Sequence, residues 1–335
     1  MISPRALIGL AVSVTFIVVA FWQVDFESFL DALAETNYLL IAPAIVAYFM
    51  AFWLRAIRWK ALLVPLGPVT TGRTYWVATI GYAINNTLPL RVGEFARAFL
   101  IKRRPGLGVP ATLATIVVER ILDGMTLLVW LGIALLFFSS SWEISSTMRL
   151  VMQGAVALFG LAAMTIIPIV AAPDWSLRKV RGILDVAPGR FRKPAFELAE
   201  NAVQGVSSLR CGRSAIMIVV LSQGIWVGET MVYWLVGRAM DFDVSWPVLA
   251  ATVAASNLAT SVPSSSGAIG PFELLAKETL ILAGFAASAA TAYAVLVHLT
   301  LLVPVTILGA GFLMAEGASL RDAVRGPRPA GMIGQ

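Results

Sequence analysis

Three ionisable residues stand close together in an otherwise apolar run: Glu119, Arg120 and Asp123 of ATIVVERILDGMTLL. On a helix Glu119 and Asp123 are i, i+4 neighbours, and Arg120 is i, i+3 from Asp123. Two carboxylates on one face suit either of two jobs. They serve as a general acid–base pair when their pKa values separate and a substrate reaches them. Otherwise they orient arginines that bind a phosphate. Upstream, Arg91, Glu94 and Arg97 recur every third residue of RVGEFARAFL. The six groups are expected to meet at one polar site. A buried ion-pair network that only locks helix to helix accounts for the same residues, and both readings can hold together.

A second candidate is SVPSSSGAIGPFE, with Ser264, Gly267, Gly270 and Glu273. Pro271 suits the first position of a helix. The backbone N–H groups from Gly267 to Gly270 would then face the loop mouth, where a helix N-terminus attracts an anion. A surface loop has the same composition, and that alternative stays open. Glu229 falls mid-way along an apolar run, as a proton-coupling carboxylate or as the partner of a hydroxyl or arginine. His298 reads as a hydrogen-bonded helix–helix contact. Arg55, Arg58 and Trp59 read first as interfacial anchors. One cysteine, Cys211, and one histidine exclude a disulfide framework and a Cys/His zinc site. No Ser/His/Asp arrangement or nucleotide-binding loop is present, so no catalytic residue, metal or cofactor is expected.

The elements that position these groups follow from composition. Of 335 residues, 59% are hydrophobic and 13% charged, with a mean hydropathy of +0.83. Soluble domains carry about 25% charged residues. This excludes an ordinary cytosolic enzyme, a disordered protein and a nucleic-acid-binding domain. A bilayer span needs about 20 apolar residues. Six runs qualify, at 6–22, 38–57, 111–138, 148–172, 214–236 and 285–314. Two more, 74–90 and 247–263, are interrupted by Asn85, Asn86 and Pro89 and by Asn257, Thr260 and Pro263.

Bases mark the cytoplasmic side of a membrane protein. The first loop holds only acids, Asp25, Glu27, Asp31 and Glu35, whereas Arg55, Arg58 and Lys60 end the second span. Residues 74–90 lie between Arg73 and the run Lys102, Arg103, Arg104, so they should enter and return on the cytoplasmic side. Residues 247–263 should do the same from outside. Residues 173–213 hold eight bases against four acids and read as cytoplasmic. There Phe196, Ala199, Val203, Val206 and Leu209 keep helical spacing, as a helix on the membrane surface or on the bundle. Its basic clusters would sit near anionic headgroups.

The fold class is therefore all-α: a polytopic integral membrane protein with six full spans and two re-entrant or broken hairpins, eight hydrophobic segments in all. Residues 38–138 read span, hairpin, span, and residues 214–314 repeat this from the opposite side. Transporters use such inverted-topology repeats, with binding at the broken helices. Residues 1–320 form one transmembrane domain, 321–335 form a cytoplasmic tail, and both termini are cytoplasmic.

The ordered motifs RAIRWKALL, NNTLPLRVGEFARAFLI, ATIVVERILDGMTLL and SVPSSSGAIGPFE, then Gly284 and His298 before Pro304, span residues 5–315. Together they resemble the flippase-like transmembrane domain of lysylphosphatidylglycerol synthases. The resemblance implies movement of a polar lipid between leaflets, with the hairpins at the centre of the pathway. The family's first motif falls on Asn86, Pro89, Arg91, Gly93, Glu94, Arg97, Glu119, Arg120 and Asp123. Its second falls on Pro263, Ser264, Gly267, Gly270 and Glu273. The sequence ends at Gln335 with no aminoacyltransferase domain, so synthesis of an aminoacylated lipid is not expected.

The expectation is a non-enzymatic lipid flippase of the bacterial inner membrane, taking an anionic or phosphate-bearing lipid. Arg91, Arg97 or Arg120 would meet the phosphate, Glu94, Glu119 and Asp123 would hold those arginines, and Glu229 would couple protons. The implied partners are the lipid and lipid-synthesis enzymes; an oligomer is allowed and nucleic acid is not. Two alternatives stay open: an integral membrane transferase or hydrolase acting on lipid headgroups, and a scaffold for lipid synthesis.

Overall fold

The computed structural model describes residues 14–21, 24–88, 91–102, 107–137, 146–185, 189–260 and 266–317. The beginning of the first expected span, Pro89, Arg103, Arg104, Pro263, Ser264 and the C-terminal tail lie outside the described residues. Among those described, every regular element is a helix. They are α1 (14–20), α2 (Phe26–Ala34), α3 (Ile41–Leu63), α4 (Thr71–Thr87), α5 (Val92–Ile101), α6 (Val109–Leu136) and α7 (Ser146–Ala171). Then follow α8 (Pro173–Leu184), α9 (Gly189–Gly205), α10 (Gly212–Ala239), α11 (Trp246–Ala259), α12 (Pro271–Leu282) and α13 (Ala287–Ala315).

Four stretches among these are long and apolar enough to cross a bilayer: Tyr38–Leu63, Met152–Ala171, Gly212–Ala239 and Ala287–Ala315. The chain is a multi-pass membrane protein. Helix α6 has 28 residues but carries Glu119, Arg120 and Asp123, two of which are buried and the third half-buried. Its length of about 42 Å, at 1.5 Å per residue, exceeds the hydrocarbon core.

Local sequence explains the helix ends. The Thr70 hydroxyl accepts the Arg73 N–H and starts α4. Prolines stand in the first turns of α6, α8, α11 and α12, where a missing N–H costs nothing. The sequence expectation for Pro271 agrees with the structure.

Helix α3 packs along α10. Helices α4 and α5 form one hairpin and α11 and α12 another, while α4 lies on α13 and α11 lies on α6. The core between them includes Phe52, Trp59, Ile80, Ile84, Leu249, Tyr233 and Tyr293. In the first hairpin Gly93 approaches Gly81 so closely that a Cβ would collide with the Gly81 carbonyl oxygen. The Asn85 side-chain oxygen accepts the Gly93 N–H at 2.7 Å and fixes that approach. The helical spacing from Phe196 onward agrees with α9, which ends at Gly205 and is followed by a short 3-10 turn, Ser207–Arg210; α9 docks on the bundle against α6. There Val206 is buried with Leu62, Val118 and Ile218.

A buried arginine–carboxylate network

Helix α3 buries Tyr48, Ala51, Phe52, Arg55, Arg58, Trp59 and Leu62, a stripe at helical spacing. Two arginines lie on that stripe, and this corrects the reading of Arg55, Arg58 and Trp59 as interfacial anchors. A guanidinium forced inside an apolar bundle must find carboxylates, because an unpaired buried ion is costly. Helix α6 supplies Glu119 and Asp123, one turn apart, and α10 supplies Glu229.

The contacts run as a chain. Arg55 Nη2 lies 2.5 Å from Glu229 Oε2, and its Nη1 lies 3.6 Å from Asp123 Oδ2. Arg58 donates to Asp123 Oδ1 at 2.7 Å and to the Ser222 hydroxyl at 2.9 Å, with Nη2 3.8 Å from Glu119 Oε1. Arg97 of α5 donates to Glu119 Oε2 at 2.8 Å. Arg120 Nη2 reaches Glu119 Oε1 at 3.0 Å, the Tyr82 hydroxyl at 3.1 Å and Asp123 Oδ2 at 3.6 Å. Aromatic faces shield the cations: Arg97 lies 4.0 Å from the Trp59 ring centroid and Arg55 4.9 Å from that of Trp226. Four guanidinium groups thus face three carboxylates, leaving one positive charge in excess.

The predicted site residues divide. Arg97, Glu119, Arg120 and Asp123 do meet, and Glu229 joins them through Arg55. Arg91 does not. It stands at the break between α4 and α5 in the left-handed region (φ 52°), paired with Glu94 at 3.6 Å. Its Nη2 donates to the Thr260 carbonyl at 2.7 Å and lies 3.3 Å from the Thr260 hydroxyl. Thr260 ends α11, so a base there meets the negative end of a helix dipole. Asn86 donates to Thr306 at 2.9 Å on α13, and Ser266 donates to the Thr87 carbonyl at 3.1 Å. The tips of the two hairpins therefore touch.

Gly267 and Gly270 adopt φ of 70° and 104°, conformations that disfavour a side chain. The Gly270 N–H, expected to await an anion, instead donates to Glu273 Oε2 at 2.7 Å. Glu273 caps its own helix, and its other oxygen lies 2.5 Å from His298 Nδ1. This is the helix–helix contact expected for His298. Among the described residues no group of three His, Cys, Asp or Glu side chains could hold a metal.

Sequence reasoning missed Arg55, Arg58, Tyr82 and Ser222 as parts of the network. A neutrality count could have found the first two. With Arg97 and Arg120 alone, one of the three buried acids would lack a counterion, which calls for at least one further buried base.

Residues 6–309 match the family described as lysylphosphatidylglycerol synthase TM region. The chain is 26% identical to glycosyltransferase AglD of Haloferax volcanii over 94% of its own length, and spans 55% of that protein. It is 23% identical to a UPF0104 membrane protein of Methanothermobacter thermautotrophicus, covering 87% of this chain and 90% of that one. No solved structure matches the chain.

Proposed function

The chain belongs to the lysylphosphatidylglycerol synthase transmembrane-region family, and from that premise we propose that it is a lipid flippase. It moves a polar, phosphate-bearing lipid between leaflets of the cytoplasmic membrane, as a single transmembrane domain with both termini cytoplasmic. The observation that carries this reading is the excess positive charge buried between the helices and opening at Arg120. That side chain is 27% exposed, whereas those of Arg55, Arg58 and Arg97 are 7%, 0% and 2% exposed. A cation at the edge of a buried network is placed to take a phosphate oxygen.

An inverted repeat gives the two faces equivalent gates, and the packing supports one. Exchanging α3–α6 for α10–α13 maps α4 on α13 into α11 on α6, and α4 on α5 into α11 on α12; α3 on α10 maps onto itself. Helices α4, α5, α11 and α12 have 17, 10, 14 and 12 residues. At 1.5 Å per residue each is shorter than the ~30 Å hydrocarbon core, which suits re-entrant hairpins.

A transferase acting on lipid headgroups is the second reading, favoured by the similarity to a glycosyltransferase. The geometry weighs against it. Glu119 and Asp123 are each engaged by several arginines, and a carboxylate so held is a poor proton acceptor.

Reconstitution in vesicles with lipids labelled on one leaflet tests the proposal. Faster redistribution with the protein than without it is expected. Unchanged distribution across several headgroups, with and without a pH gradient, would sink it. A lipid of altered mass in the extract would establish the transferase instead.

A further inference from the structure

We infer that the network selects its ligand by charge: it takes a headgroup bearing one negative charge, a phosphodiester, and rejects a phosphomonoester or diphosphate. This rests on the flippase reading and narrows its substrate. Four guanidinium groups face three carboxylates, and the neighbouring pairs Arg91–Glu94 and Arg73–Glu316 are each neutral. None of these pairs balances the fourth arginine. One negative charge brings the buried cluster to neutrality, whereas two would leave an unbalanced anion inside the bundle, as costly as the unbalanced cation it replaced.

The excess is localised at one place. Arg55, Arg58 and Arg97 each hold a carboxylate oxygen within 2.8 Å: Glu229, Asp123 and Glu119 respectively. Arg120 shares Glu119 Oε1 with Arg58 and Asp123 Oδ2 with Arg55, and it has no carboxylate of its own. Its Nε is buried without a hydrogen-bond partner. The Tyr82 hydroxyl accepts from Arg120 at 3.1 Å, and its own proton donates to none of the described residues. Arg120, the one partly exposed guanidinium of the four, and the Tyr82 hydroxyl 3.1 Å from its Nη2 therefore offer adjacent N–H and O–H donors to the two unesterified oxygens of a phosphodiester. Those two oxygens share a single charge, which matches both the donors and the excess.

The test is equilibrium binding to the full chain in detergent at about pH 9, above the second ionisation of the phosphomonoester probes, so that they carry two negative charges. The probes are short-chain phosphatidylglycerol, short-chain phosphatidic acid and inorganic phosphate. The phosphodiester should bind at least about tenfold tighter than the phosphomonoester. Glu119→Gln, which raises the excess to two, should reverse that preference; Asp123→Asn makes the same change if the first variant does not fold. Arg120→Gln should lose the phosphodiester by about tenfold without gaining the phosphomonoester, and Arg120→Lys should keep the preference. Equal binding of both esters by the unaltered chain, or no shift in Glu119→Gln and Asp123→Asn, overturns the charge rule and leaves the flippase reading standing. Inorganic phosphate displacing the lipid at equal concentration overturns the headgroup as the source of the charge. Absence of leaflet redistribution, with the binding preference intact, would sink the flippase reading alone.

Discussion

The first hairpin, α4–α5, enters the ion network through Arg97 and reaches distant helices through Arg73, which pairs with Glu316, and Arg91, which holds Thr260. The second, α11–α12, follows the same packing plan but supplies no group to that network; its Glu273 meets His298 and its Lys277 donates to the Ala20 carbonyl. Ser256 lies 2.8 Å from the Tyr233 hydroxyl, Asn257 donates to that hydroxyl at 3.1 Å, and Glu273 caps its own helix. One hairpin is tied into a cluster whose charges do not cancel. The other is satisfied by hydroxyls, an amide, a lysine on a backbone carbonyl and a carboxylate shared between its own cap and His298. The contrast separates two kinds of anchoring within one architecture: a hairpin joined to a buried cluster with one positive charge in excess, and a hairpin whose polar groups are met one by one by local partners.

The largest expected effect breaks the ionic side. Arg58→Ala brings the cluster to charge balance but takes from Asp123 its one partner at hydrogen-bond distance, the other arginines lying 3.6 Å away, and empties a fully buried position, at a cost of about 3–5 kcal/mol. Thermal or denaturant unfolding in detergent measures it. Gly93→Ala comes next, because the added methyl meets the Gly81 carbonyl and wedges α4 from α5; overpacking of this kind costs about 1–3 kcal/mol. In the second hairpin, Glu273→Ala uncaps Gly270 and strips His298 of its partner, for about 1–2 kcal/mol. Glu273→Gln, which keeps an acceptor for Gly270, should recover part of that. A Glu273→Ala loss as large as that of Arg58→Ala would erase the contrast between the hairpins.

Much of this was legible in the sequence. Glu119 and Asp123 stood out because an ionisable residue in an apolar run has few explanations, and their spacing put them on one face. The broken hairpins were visible as Asn and Pro inside runs otherwise suited to span. Arg55 and Arg58 were not legible as core residues, since they precede Lys60 and flank Trp59 at the end of an apolar run. That is where interfacial anchors are found, and only the buried stripe from Tyr48 to Leu62 distinguishes the two cases. The cap at Gly270 was half legible. Pro271 marked the helix start, but no spacing rule distinguishes a Glu273 that points away from one that folds back on the Gly270 N–H. Arg91 was misplaced because a three-residue spacing implies a helix face, whereas Arg91 stands outside the helix in a left-handed conformation.

That conformation makes Arg91 the sharpest probe of how the hairpins communicate. A non-glycine residue in the left-handed region costs about 1 kcal/mol, and Arg91 keeps it while holding the Thr260 carbonyl with a guanidinium that is 42% exposed. Solvent screening limits such a contact to about 0–1 kcal/mol. Arg91→Gly removes the clasp and relieves the backbone together, so the two effects nearly cancel and stability should stay within about 1 kcal/mol of the original. The tips should nevertheless part. Spin labels at Thr87→Cys and Ile269→Cys, with the single native cysteine changed by Cys211→Ser, report the separation. Arg91→Gly should broaden that distance distribution, and Arg91→Lys, which retains a donor, should broaden it less. A distribution as narrow as the original would mean that Asn86–Thr306 and Ser266–Thr87 hold the tips without Arg91. In that case the first hairpin would touch the second through neutral hydrogen bonds alone, and its charges would serve only the network and the Arg73–Glu316 pair.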